Sequence, residues 1–315
     1  MKDGIYFDMP DDVYHSVGRL SSSGIKDILE SPTLFWFNSV FNPMREERKS
    51  EAMDDGSMFH SFILEGETGF NEKYVVMPTE IEQMNKNTNT FKAWKASQTK
   101  KVIAWKKYFD MKKIVRHLEM DGQLLSTGFL KGGYAEVSIF WTDGQGIERK
   151  ARIDYLKGSS FIDLKTFLKK KSGSIEKYIS QYFYGFKVFV QLLEYRDALI
   201  ASSKFNESQV FGNKEQIKFF NEEIKGVEDF LPFVVFVNRK LPQYTIKTFA
   251  KENCSDLWDL GEKMRRKAES LYLEYMEIYG KNNAWLEQVD TDNLHFMDTD
   301  FPQSFGELLN GGFNE

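Results

Sequence analysis

A chain of 315 residues with 28 Phe, 14 Tyr and 6 Trp can bury one large core or two small ones, and its 28% charged residues keep the surface solvated. A single cysteine, Cys254, excludes an internal disulfide and a four-cysteine iron–sulfur cluster, and no apolar run nears the roughly 20 residues of a membrane span. The net charge of −5 is not that of a typical nucleic-acid binder, but it says little against a local positive track for phosphates beside an acidic, metal-holding cluster.

Met1-Lys2-Asp3-Gly4 leads into acidic and polar residues, without a secretory signal, so a cytoplasmic location is expected. Gly4 to Tyr14 reads as a short strand and a turn, with Pro10 and Asp11-Asp12 supplying the turn. Leu20-Ser21-Ser22-Ser23 offers the N-cap of a helix carrying Ile25, Ile28 and Leu29, which Pro32 stops before the aromatic run Leu34-Phe35-Trp36-Phe37. Residues 44–55 are charged and read as a loop. Gly56 opens a helix, GSMFHSFILE, whose apolar face is Phe59, Phe62 and Ile63, with His60 on another stripe. Residues 81–118 read as lysine-rich helix with Phe91, Trp94, Val102, Trp105 and Tyr108 turned inward.

The middle is a β-meander. GYAEVSIFW (133–141) alternates, 142–146 turns, and IERKARIDYL (147–156) returns. A turn at Gly158-Ser159-Ser160 leads to Phe161-Ile162-Asp163-Leu164-Lys165-Thr166. An aromatic helix is expected over 174–198, then a polar helix or long loop over 209–230. A hairpin follows around Lys240-Leu241-Pro242, and then an amphipathic helix with Leu257, Leu260, Met264, Leu271, Tyr275 and Ile278. Arg265-Arg266-Lys267 reads as its solvated face. These elements predict a single α/β domain, a mixed central sheet flanked by helices. Its parts are an N-terminal helical segment (1–55), a metal-binding core (56–200), a C-terminal hairpin with helices (201–285) and a polar tail (286–315).

Residues i and i+2 of a strand share a face, so Phe161, Asp163 and Lys165 point one way and Ile162 and Leu164 the other. A carboxylate and an ammonium on an otherwise apolar strand are costly to bury unless paired or metal-bound. Asp154 ends the preceding strand, and a tight hairpin would bring it to Asp163. Two carboxylates held close repel each other, and a divalent cation relieves that repulsion. A metal that polarises a phosphoryl oxygen and acidifies water, with a lysine to orient that water or neutralise developing charge, is the equipment of phosphodiester hydrolysis. A surface ion pair is the other reading of the same residues.

Several motifs then follow in order: GIYFDMPDDVYH, LSSSGIKDILESPTLFWF, GSMFHSFILE, and GYAEVSIFW…ARIDYL…FIDLKT. From about Gly4 to Ala198 this arrangement resembles the RecE exonuclease family, in the RecB-like branch of the PD-(D/E)XK (restriction-endonuclease-like) nucleases. The resemblance implies His60, Asp154, Asp163 and the Leu164 carbonyl as ligands of Mg²⁺, which Mn²⁺ can replace, and Lys165 as catalytic. It implies that Gln181 braces the lysine strand and contacts DNA. That family often shows Gln-x-x-x-Tyr, which Gln181 does not satisfy and Gln191–Tyr195 does; the shorter distance from Lys165 favours Gln181. Glu136 matches an acidic family position of less certain role. Lys169-Lys170-Lys171 is either a solvated loop or a phosphate-backbone contact. Tyr178, with its aromatic stripe, reads mainly as core, base stacking being its other possible role. The implied activity is 5′ to 3′ degradation of one strand from duplex DNA ends. Also implied are a RecT-like single-strand annealing partner, a homo-oligomeric ring, and phage or prophage recombination in a bacterial cytoplasm. A RecB-like endonuclease and an inert DNA-binding module remain the alternatives.

Overall fold

The computed structural model describes residues 1–46, 51–120, 129–168 and 174–287, with the backbone alone for 51–53. The chain opens with β1 (Gly4–Tyr6), α1 (Asp11–Ser16), α2 (Ser22–Glu30) and α3 (Pro32–Asn38). Next come α4 (Glu51–Lys73), β2 (Tyr74–Val76), α5 (Thr79–Glu82), α6 (Asn89–Ala96), β3 (Lys101–Ile103) and α7 (Trp105–Met120). The meander is β4 (Tyr134–Thr142), β5 (Glu148–Lys157) and β6 (Ser160–Phe167), followed by α8 (Ile175–Gly185) and α9 (Val188–Ser202). The rest is β7 (Val210–Phe211), α10 (Lys214–Phe219), β8 (Leu231–Asn238), β9 (Tyr244–Thr248) and α11 (Ser255–Tyr279).

Seven strands form one mixed sheet in the order β7-β1-β4-β5-β6-β8-β9. The meander pairs antiparallel, while β6 and β8 run parallel over their whole lengths, with Asp163 beside Val234 and Lys165 beside Phe236. Strand alternation sorts the side chains onto two cores. Phe161, Val137, Ile139 and Ile153 pack with residues of α2, α9 and α11 on one face. Ile162, Leu164, Val235 and Val237 pack with α4 and α7 on the other. The mixed α/β fold expected from the sequence is therefore present, with helices on both faces of the sheet.

Several local expectations change. The charged segment before Gly56 is already helical from Glu51. The lysine-rich stretch is split by β3, which pairs in parallel with β2 away from the main sheet. Trp105 is not core but lies 40% exposed, its ring stacked on Phe109. The 209–230 segment resolves into an edge strand, α10 and a π-helical turn. The expected continuous helix over 174–198 is two helices, because Lys187 adopts left-handed backbone (φ 49°, ψ 45°) between α8 and α9. No such break is visible in the aromatic periodicity.

The second of these helices is held closely. Gly261 on α11 lets that helix approach α9 so tightly that a Cβ would lie 2.6 Å from Leu193 Cδ1. A buried ionic cluster completes the joint. Arg149, only 3% exposed, donates to Asp143, Glu194 and Glu269, and Arg265 pairs with Glu194 and Asp197. Arg265 is thus no part of the solvated face; Arg266 and Lys267 are. Among the described residues no helix is long and apolar enough to cross a membrane.

Candidate active site

The strand face predicted to carry Asp163 and Lys165 does so. Asp163 is fully buried, and Lys165 Nζ donates to its Oδ1 at 2.7 Å. The β5–β6 ladder covers only the hairpin end, from Lys157–Ser160 to Tyr155–Ile162. At the next position the Asp154 side chain takes over, and its Oδ2 accepts the Leu164 N–H at 2.8 Å. His60, on the α4 turn packed against β6, places Nδ1 3.8 Å from that same oxygen.

Burial pushes the Asp154 carboxyl well above its ordinary range, and the neighbouring Asp163 charge pushes it further. Burial holds the His60 imidazole below its ordinary value, toward the neutral form that can ligate a metal, and the Lys165 charge adds to this. Burial works against the Lys165 cation, but the charges of Asp163 and Asp154 outweigh it and hold the ammonium above the usual lysine value.

The glutamine of the site is Gln191, not Gln181. Gln191 Nε2 donates to Asp163 Oδ1 and to the Tyr195 hydroxyl, both at 2.9 Å, and its Oε1 accepts from Lys165 at 3.4 Å. Gln181 is exposed on α8. The break at Lys187 decides this. It lets α9 begin afresh against β4 and β5, so the Gln-x-x-x-Tyr spacing of residues 191 and 195 faces Asp163 from one helix stripe.

Glu136 sits between the pairs Ala135–Tyr155 and Val137–Ile153, level with Asp154. Glu136, Asp154 and Asp163 therefore stand abreast on three adjacent strands. Glu136 has left-handed backbone (φ 54°) and accepts from Arg152 Nε at 2.7 Å. Tyr178 packs its ring against Phe167 at 5.3 Å, a core contact. Lys169, Lys170 and Lys171 lie outside the described residues.

Lys26 joins the site without any sequence signal beyond a polar position on an amphipathic helix. Its Nζ donates to Gln191 Oε1 at 3.2 Å, and burial, followed by repulsion from Lys165, pushes its pKa down to about 7.

Among the described residues no three His, Cys, Asp or Glu side chains converge into a ready-made metal cage. Asp163 Oδ1 accepts from Lys165 and Gln191, and Asp154 Oδ2 from the Leu164 amide. Asp163 Oδ2 is different: it is buried and has no hydrogen-bond partner among the described residues. A buried carboxylate oxygen without a donor is an unmet demand for positive charge. Asp154 and His60 face each other at 3.8 Å, and both feel the Asp163 charge, so the donor types suit a hard divalent cation. A cavity of about 290 Å³ lies elsewhere, at Asp143, Arg149, Arg265 and Glu269, and belongs to the ionic joint.

Comparison with known proteins bears on the family and the fold. A family model described as a PDDEXK-like domain of unknown function matches residues 21–219, which include His60, Asp154, Asp163, Lys165 and Gln191. A solved structure from Eubacterium rectale, of a protein provisionally named an exonuclease, superimposes with a TM-score of 0.50 at 14% identity. The overlap covers 97% of this chain and 99% of that one, a likeness of fold. No curated protein matches the sequence.

Proposed function

The chain belongs to the PDDEXK-like family whose model spans residues 21–219, and from that premise we propose that it is a divalent-metal-dependent DNA nuclease. The observation that carries this reading is Asp163 Oδ2, buried and without a hydrogen-bond partner among the described residues, on a carboxylate whose charge reaches Asp154 and whose other oxygen holds Lys165. His60, Asp154, Asp163 and the Leu164 carbonyl would hold a cation of the Mg²⁺ class. When bound, such an ion supplies Lewis acidity at a phosphoryl oxygen and makes water acidic enough to attack.

The chain's own residues supply the rest. Lys165 stays protonated and offers its ammonium to the attacking water or to charge developing on phosphorus. Gln191 fixes the Asp163 carboxylate in one rotamer, through bonds to Asp163 and Tyr195. The Asp154 carboxylate anchors the Leu164 amide, which keeps β5 and β6 apart at the point where the metal donors meet. The apolar residues on both faces of β6 exclude bulk water, so each of these charges acts at low dielectric.

Within this reading we place exonucleolysis first, because the resemblance of the motifs to RecE-type exonucleases and the provisional name of the Eubacterium rectale protein point the same way. The 5′ to 3′ polarity, a ring of subunits around duplex DNA, a RecT-like annealing partner and a phage recombination role rest on that resemblance. Digestion of end-labelled linear duplex beside covalently closed circles, with and without Mg²⁺, tests it. Metal-dependent loss of label from linear DNA alone is expected. Cutting of closed circles would make the protein an endonuclease, and no cutting of either would leave a DNA-binding module.

A further inference from the structure

Along α8 and at its C-cap, Tyr178, Tyr182 and Phe186 recur every fourth residue, and their rings form a continuous row. Phe167, two residues beyond Lys165, meets Tyr178 at 5.3 Å, Tyr178 meets Tyr182 at 6.5 Å, and Tyr182 meets Phe186 at 4.4 Å. The row starts in the core and ends in water, where Phe186 is 61% exposed. Its inner part borders the site, since Tyr182 packs on Phe236, the β8 neighbour of Lys165, and feels the charges of Lys165 and Asp163. A cation stands at the outer part, since Lys187 follows Phe186 directly, and it acts electrostatically on Lys26, which bonds Gln191 at the inner site.

An exposed ring costs the protein hydration free energy unless something covers it. A row of rings that ends beside a lysine and runs into a candidate phosphodiester site matches the chemistry of unpaired nucleotides: aromatic faces for bases and an ammonium group for a phosphate. We propose that Phe186, backed by Tyr182 and followed by Lys187, is a stacking platform for a base of single-stranded DNA next to the bond being cut. This rests on the nuclease reading and adds to it that the substrate strand is engaged unpaired. Tyr184 is equally exposed but lies off the row, its ring against Phe189, and serves as an internal control.

The test is the binding of a short single-stranded oligonucleotide carrying 2-aminopurine, with chelator present so that no cleavage occurs. Stacking quenches the fluorophore. Wild-type protein should quench it, Phe186→Ala should bind roughly 5- to 150-fold more weakly, the scale of one lost base–aromatic stack, and Phe186→Trp should restore both signals. Tyr184→Ala should behave as wild type. Equal effects at Tyr184 and Phe186, or unchanged quenching in Phe186→Ala, would overturn the platform. So would a Phe186→Ala protein that loses an oligomer by light scattering while quenching normally, since the ring would then serve self-association. Quenching that persists in a protein unable to cut any DNA with Mg²⁺ supports the platform and sinks the nuclease reading, so the two failures are distinct.

Discussion

Replacing Gln191 by Ala, beside the same change at Gln181, separates two positions that look alike in sequence. Gln191→Ala removes the 2.9 Å donor to Asp163, the 2.9 Å donor to Tyr195 and the acceptor that Lys26 uses at 3.2 Å. Hydrogen bonds to charged groups contribute about 1.5–3 kcal/mol each, and these share one side chain, so the joint loss is on the order of 2–3 kcal/mol. At roughly 2 cal/mol/K per residue of unfolding entropy, that lowers the thermal midpoint by about 3–5 °C in a chain of this size. Asp163 then rotates against Lys165 alone, and metal affinity or single-turnover cleavage should fall by about 10- to 100-fold, as when a ligand loses its supporting bond. Gln181→Ala, at an exposed position, should stay within about 0.5 kcal/mol and cleave normally. Thermal unfolding, Mn²⁺ calorimetry and cleavage on both variants read this out. A Gln181→Ala protein as impaired as Gln191→Ala would refute the assignment.

Three further outcomes follow from the bonds at and around the site. Lys165→Ala should cut turnover by on the order of 10²-fold or more with Mn²⁺ affinity little changed, whereas Asp163→Ala loses both; wild-type rates in folded Lys165→Ala would remove this site from the chemistry. Arg149→Met leaves fully buried Glu194 with Arg265 alone. It should cost about 3–5 kcal/mol, seen by circular dichroism as a large fall in the thermal midpoint, and an unchanged midpoint would show that the ionic joint is idle. The Lys26 ammonium is held near 7, below its unfolded value of 10.5. Folding is therefore penalised fully below pH 7, and the penalty fades as pH rises toward 10.5. The stability of Lys26→Met relative to wild type should accordingly decline between pH 6 and pH 9, and parallel curves would contradict the shift.

The meander and the Asp163–Lys165 face were readable because strand alternation is local and its two-residue period has one outcome. Asp154 came within reach of the same reading through the hairpin, whereas His60 rested on the resemblance of the motifs. What was hidden depended on single backbone torsions or on partners far along the chain. Lys187 at φ 49° ends one helix and starts another, and that single residue moves the site glutamine by ten positions. Arg265 sits in a charged triplet whose neighbours are solvated, and only its distant partners Glu194 and Asp197 draw it inside. Lys26 shows the same thing inside the site, since its partner Gln191 comes from a helix 165 residues away.

The parallel pairing of β6 with β8 sets a timetable for synthesis. Every residue that would hold metal or carry charge in the reaction leaves the ribosome before Leu231, yet all eight residues of β6 have their neighbours in Leu231–Asn238. Until those arrive, the strand bearing Asp163 and Lys165 has one raw edge, the kind of row that recruits other strands. The Gly261 contact and the Arg265 ion pairs that steady α9 come later still. A chain ending at residue 219, where the family match stops, would therefore hold the reactive residues without the neighbours that order them, and should aggregate rather than cleave. In the growing chain the same order works as a delay, because the groups that would cut a phosphodiester gain their ordering neighbours only after Leu231–Asn238 and then α11 have been made.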